Sequence, residues 1–71
     1  MERDPIESSA IRSVGYDAET RQLEVEFQSG AVYVYSDVPP EVYEGLRGAE
    51  SAGTYFESTI RQAGYEYRRV E

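Results

Sequence analysis

Strict alternation of apolar and acidic residues over Leu23-Glu24-Val25-Glu26-Phe27 constrains this chain more than any other feature. Side chains two apart on a strand share one face, so the pattern predicts a half-buried strand with Leu23, Val25 and Phe27 inside and both glutamates in water. Ser29-Gly30 follows as a tight hairpin turn, because glycine tolerates the positive φ that such turns need. Ala31 to Tyr35 then returns antiparallel. This returning strand is apolar or aromatic on both faces, with Val32 and Val34 opposite Tyr33 and Tyr35, so both its sides require cover.

The remaining elements follow from local chemistry. Ser9 to Tyr16 reads as a strand preceding the alternating one, with Asp17-Ala18-Glu19-Thr20 as the polar connecting turn. Val38-Pro39-Pro40-Glu41 opens a helix, since proline is tolerated in the first turn and an acid there suits the dipole; Val42, Leu46 and Ala49 line its stripe. Gly45 and Gly48 weaken that helix by up to ~1 kcal/mol each relative to alanine. After a bend at Glu50-Ser51-Ala52-Gly53, Thr54-Tyr55-Phe56-Glu57 matches a capping box for a second helix, whose stripe is Phe56, Ile60 and Ala63. Gly64 suits its end, and Tyr65 to Val70 reads as a closing strand. The expected class is α+β: a three-strand antiparallel meander plus a C-terminal strand, with two short helices on one face. The last strand's place in the sheet is left open.

With 71 residues, no internal repeat and no linker, the chain reads as a single domain over residues 1–71, its ordered core at about 8–70. A domain this size buries only ~60% of the surface its unfolded chain exposes. Cysteine is absent, which removes disulfides and thiolate metal sites. Histidine is absent too, and with it the usual switch between pH 5 and 8. No run approaches a membrane span, so the expected location is the cytoplasm. Fourteen acids face seven bases, every one of them arginine, for a net charge of -7. That balance opposes generic binding of polyanions. An acidic, lysine-free composition fits coding bias or a salty cytoplasm; the latter predicts that stability rises with molar KCl.

Several constellations resemble reactive sites and are better read otherwise. Gly48-x-x-x-x-Gly53-Thr54 has the glycine spacing of a phosphate loop but lacks the lysine and has Glu50 and Glu57 beside it, so it reads as a bend between helices. Glu24 and Glu26 share a solvent face, where nothing separates their pKa values for acid and base roles. Ser8, Ser9, Ser13 and Ser51 have no histidine or lysine to activate them. No metal, cofactor or small-molecule substrate is implied.

The two Tyr-x-Tyr pairs, Tyr33/Tyr35 and Tyr65/Tyr67, each place two phenol rings on one strand face. They form either an aromatic platform for bases, at ~1–3 kcal/mol per stacked base, or the lid of a small core. With two phenylalanines and no tryptophan, tyrosine must supply much of the apolar bulk, which favours the core, above all for Tyr33 and Tyr35. Tyr65 and Tyr67 adjoin Arg68-Arg69 and are the better aromatic and cationic combination. A Tyr- and Arg-rich last strand is also the ordinary way to protect a solvated sheet edge.

The motifs Ser8-Ser9-x-Ile11, Gly15-Tyr16-Asp17, Leu23-x-Val25-x-Phe27-x-Ser29-Gly30, Tyr33-x-Tyr35, Val38-Pro39-x-x-Val42-Tyr43-x-x-Leu46 and Ser51-x-Gly53-x-x-Phe56 stand in this order across nearly the whole chain. By them the chain resembles the KTSC domain, which occurs at the C-terminus of some lysyl-tRNA synthetases and as a stand-alone bacterial protein. Glu57 and Glu66 depart from that pattern, where Asn and Pro are usual. The resemblance implies a non-enzymatic module associated with RNA, either tRNA or single-stranded, using exposed tyrosines with Arg12, Arg61, Arg68 and Arg69. The alternative is a protein-interaction or self-association module that presents an aromatic face or a free strand edge.

Overall fold

The computed structural model describes residues 3–6 and 8–71. Strands β1 (Asp4–Pro5), β2 (Ile11–Asp17), β3 (Gln22–Phe27) and β4 (Val32–Tyr35) are followed by helix α1 (Pro40–Gly48), helix α2 (Ala52–Tyr55), a π-helical segment (Phe56–Arg61) and strand β5 (Tyr67–Arg69). The sheet has the order β1-β2-β3-β4-β5 with antiparallel neighbours. The fold is α+β, and the last strand lies on the outer side of β4. β1 adds a strand where the sequence shows only a polar start: two residues carry too little periodicity to reveal it.

Register follows from the alternation. Leu23 stands opposite Tyr35 and Val25 opposite Tyr33, so the tyrosines of β4 share the face of Leu23, Val25 and Phe27. The helices cover that face, and Leu46, Phe56 and Ile60 complete a core with Ile11, Val14, Leu23, Val25 and Tyr35. The β3–β4 turn forms as expected. Phe27 N–H donates to Ala31 O and Gly30 N–H to Phe27 O, each at 2.9 Å, with Gly30 at φ +96°.

β2 departs from simple alternation. Between the pairs Ile11–Phe27 and Ser13–Glu26 it holds one residue more than β3, and Arg12 is the extra one. This bulge lets Ile11 and Val14, three apart, both face the core with no exposed surface. Its strand begins at Ile11 and not at Ser9, because the Ser8 hydroxyl oxygen accepts from the N–H groups of Ala10 and Ile11 and turns the chain there.

The opposite face is less open than alternation predicts. Val32 and Val34 are buried there beside Glu24, Glu26 and Arg68. Glu24 and Glu26 are only partly exposed and paired: Arg3 Nε lies 3.3 Å from Glu24, while Glu26 accepts from the Ser13 hydroxyl at 2.8 Å and meets Arg12 at 3.7 Å.

The second helix also begins differently. Ser51, not Thr54, is its cap: the Ser51 side chain accepts from Thr54 N–H at 3.2 Å and helix starts at Ala52. From Phe56 the backbone widens into π geometry, which turns both Phe56 and Ile60 inward. Helix stops at Arg61, leaving Ala63 exposed in the turn to Gly64, whose φ of +80° reverses the chain toward β5. Among the described residues no helix is long and apolar enough to cross a membrane.

Candidate binding site: a tyrosine groove

The pairing of β5 with β4 decides where the two Tyr-x-Tyr pairs meet. Tyr67 stands opposite Tyr35, and Arg69 opposite Tyr33, so both residues of β5 fall on the helix-side face. Tyr33, Tyr35, Tyr65 and Tyr67 therefore line one groove of 440 Å³ with Phe27, Phe56 and Ile60, and with Glu57 and Arg61 from the π-helical segment. Sequence reasoning gives two separate pairs; only the long-range register joins them.

The aromatic groups form one continuous cluster. Tyr67 lies 5.8 Å from Tyr33 and 5.4 Å from Tyr35 between ring centroids, and Phe56 meets Tyr35 and Phe27 edge-on at 5.5 and 5.4 Å. Exposure is graded across it. Tyr35 is buried and Tyr33 and Tyr65 half-buried, while Tyr67 is 63% exposed, a large apolar surface facing water. Tyr35 thus serves both readings of its pair: its ring belongs to the core and its edge to the groove.

Electrostatics keep the floor neutral. Burial first, then the neighbouring Tyr67 and Tyr33, push the Tyr35 phenol up to about 12, so it holds its proton and remains a hydrogen-bond donor across the physiological range. At the rim Arg61 Nη1 lies 3.1 Å from Glu57 Oε1, one helical turn away, and both side chains are largely exposed. The groove's charged lining therefore sums to zero.

The remaining arginines are dispersed. Arg69 shares the tyrosine face but donates through Nε to Glu71 O at 2.9 Å. Arg68 projects to the other face, across from Val34. Arg12 is held on that far side by Glu26 and donates to Gln28 O. Glu57, Phe27, Phe56 and Ile60 were not singled out as site residues by the sequence; Phe27, on the Leu23–Phe27 face, carried the one usable signal.

Two other features show by contrast why this groove is the candidate. Tyr16 and Tyr43 stack at 5.0 Å, but Tyr16 donates to Val38 O, Tyr43 reaches Asp4, and Arg47 covers the Tyr43 ring at 5.6 Å, so this pair is closed by its own partners. Burial raises both phenols, the largest cause in each. A cavity of 580 Å³ lies between Ser8, Ser51, Thr54 and Phe56, but the hydroxyls of the first three are engaged in a turn and a cap, and Glu50 and Glu57 flank it. By comparison, no hydrogen bond joins the hydroxyls of Tyr33, Tyr35, Tyr65 or Tyr67 to a protein group among the described residues.

The family model of the KTSC domain matches residues 7–67. The chain belongs to the KTSC domain family. A KTSC domain protein from Yersinia pestis has a crystal structure that superposes with a TM-score of 0.92 at 33% identity, covering 99% of this chain and 97% of that one. An uncharacterised protein of Stutzerimonas stutzeri is 46% identical over the full length of both chains. A lysine–tRNA ligase of Nostoc punctiforme is 44% identical over 55 residues, which are 78% of this chain and 10% of the ligase. The KTSC unit is thus a small part of such a ligase.

Proposed function

We propose that this KTSC domain is a non-catalytic, RNA-associated binding module whose tyrosine groove receives unpaired bases. The observation that carries this reading is the single groove shared by Tyr33, Tyr35, Tyr65 and Tyr67, with Tyr67 exposed on top. Every base has a π-face, so such a surface takes one at ~1–3 kcal/mol per stacked ring. The kinship with part of a lysine–tRNA ligase supports tRNA or single-stranded RNA as the target, and with it a cytoplasmic setting. The non-catalytic reading is supported by the chemistry of the lining: a neutral phenol, an internally paired carboxylate and guanidinium, and no activated nucleophile. The test is fluorescence anisotropy of labelled tRNA and single-stranded RNA at several salt concentrations. Binding should fall as salt rises, and Tyr67→Ala should weaken it by roughly five-fold or more. Binding unaffected by Tyr67→Ala removes the groove from the interface.

A second reading is a protein-interaction surface on the same groove. It is favoured by the net charge of -7 and by the placement of Arg12 and Arg68 away from the tyrosines, which leaves no continuous basic track. An aromatic protein interface would persist at salt concentrations that release RNA.

A further inference from the structure

The groove's two charged side chains form an unusual rim for an RNA site. Arg61 offers one guanidinium nitrogen, Nη1, to both carboxylate oxygens of Glu57, at 3.1 and 3.5 Å. Nε and Nη2 of Arg61 and the outward lone pairs of Glu57 are left for a ligand, and both side chains are more than half exposed. The groove thus presents a two-oxygen acceptor beside a donor, next to the exposed ring of Tyr67.

A carboxylate in a base-binding groove is selective by repulsion as well as attraction. Adenine and cytosine show one amino donor next to a ring-nitrogen lone pair, which a carboxylate repels. Uracil shows a single N–H between two carbonyls. Guanine alone offers two adjacent donors, N1–H and the N2 amino group, followed by the O6 acceptor. That order matches Glu57 followed by Arg61. A volume of 440 Å³ lies in the range of sites that hold one small ligand.

Building on the RNA reading above, we propose that the groove is a single-nucleotide pocket for an unpaired guanine. Its ring stacks on Tyr67, Glu57 accepts from N1–H and N2–H, and Arg61 donates to O6. The sugar and phosphates stay outside the groove. Recognition through a charge-neutral pair also fits the acidity of the chain, since a base edge carries no net charge to be repelled.

The experiment compares labelled short oligouridines, plain or carrying one guanine, adenine or cytosine, bound to the intact chain at low salt and followed by anisotropy. The guanine oligomer should bind roughly five-fold tighter or more than the others, the low end of what a bidentate base contact gives. Glu57→Gln should bring the guanine oligomer level with the adenine oligomer, read as the ratio of their two affinities. The thermal midpoint of the variant, expected to match the parent because Glu57 is exposed, separates recognition from folding. Equal affinity for all four oligomers overturns the guanine pocket and leaves the RNA reading standing. A guanine preference that survives Glu57→Gln overturns the assigned contact. Binding of none of them sinks both readings and points to a protein partner.

Discussion

Gly45 and Gly48 lie on the same helix, yet their packing gives them opposite roles. A Cβ at Gly45 would sit 2.7 Å from Cζ of Tyr55, closer than real contacts allow, while one at Gly48 meets nothing within 4 Å. Gly48→Ala should therefore stabilise by up to ~1 kcal/mol, the ordinary helix-propensity gain. Gly45→Ala should destabilise by ~1–3 kcal/mol through overpacking against Tyr55, despite the same propensity gain. Urea denaturation of the two variants checks the sign. From the sequence both glycines looked like equal weaknesses in one helix; Tyr55 supplies the difference, from another helix. Tyr35 makes a second prediction. Its phenol ionises at about 12 in the folded chain against 10.0 for an ordinary tyrosine. Below pH 10 it is neutral in both states and stability does not depend on it. Between pH 10 and 12 the unfolded chain releases the proton first, so stability falls as pH rises, and Tyr16 and Tyr43, raised as well, add in the same direction. Thermal midpoints measured across that window should drop less steeply for Tyr35→Phe than for the parent.

At the scale of elements, what could be read from the sequence depended on how local the signal was. Leu23 to Phe27 and the turn at Gly30 were legible because alternation and a positive φ are written in adjacent residues. The two-residue β1 carried no period, and the bulge at Arg12 interrupts the alternation of β2. The cap of the second helix lies three residues before the one the sequence predicts. Thr54 with Glu57 had the capping-box spacing, but the Ser51 side chain holds Thr54 N–H. Ser51→Ala should accordingly cost ~0.5–2 kcal/mol, whereas Thr54→Ala, which removes only the hydroxyl contact to Ser51, should fall within ~0.5 kcal/mol of the parent. Chemical denaturation of both separates the alternatives; an equal loss would restore Thr54 to the cap. The widening to π geometry had no signature in the residue types, yet it sets Glu57 and Arg61 on the rim of the groove. Arg68 and Arg69, which the sequence groups together beside the tyrosines, face opposite ways in β5.

Across the whole molecule, acids outnumber bases two to one, and two of the four ion pairs among the described residues, Arg47–Asp4 and Arg61–Glu57, are exposed on both sides. Such pairs each contribute little, while the excess negative charge repels itself over the surface of a small domain. Added KCl should screen that repulsion faster than it weakens the pairs, and the thermal midpoint should rise into the molar range. A flat or falling midpoint would count against net repulsion as a main cost. With the same charge, the proposed RNA association rests on where the tyrosines and arginines lie, which composition cannot reveal: the joining of Tyr33, Tyr35, Tyr65 and Tyr67 is a property of the β4–β5 pairing. The groove is tested most directly by a backbone-amide NMR titration of the labelled chain with tRNA and single-stranded RNA at low salt. Saturable shifts at Tyr33, Tyr35, Glu57, Arg61 and Tyr65 to Arg69, reversed by added salt, are the predicted result. Shifts confined to the far face around Arg12, Glu26 and Arg68, or no shifts at all, would contradict it.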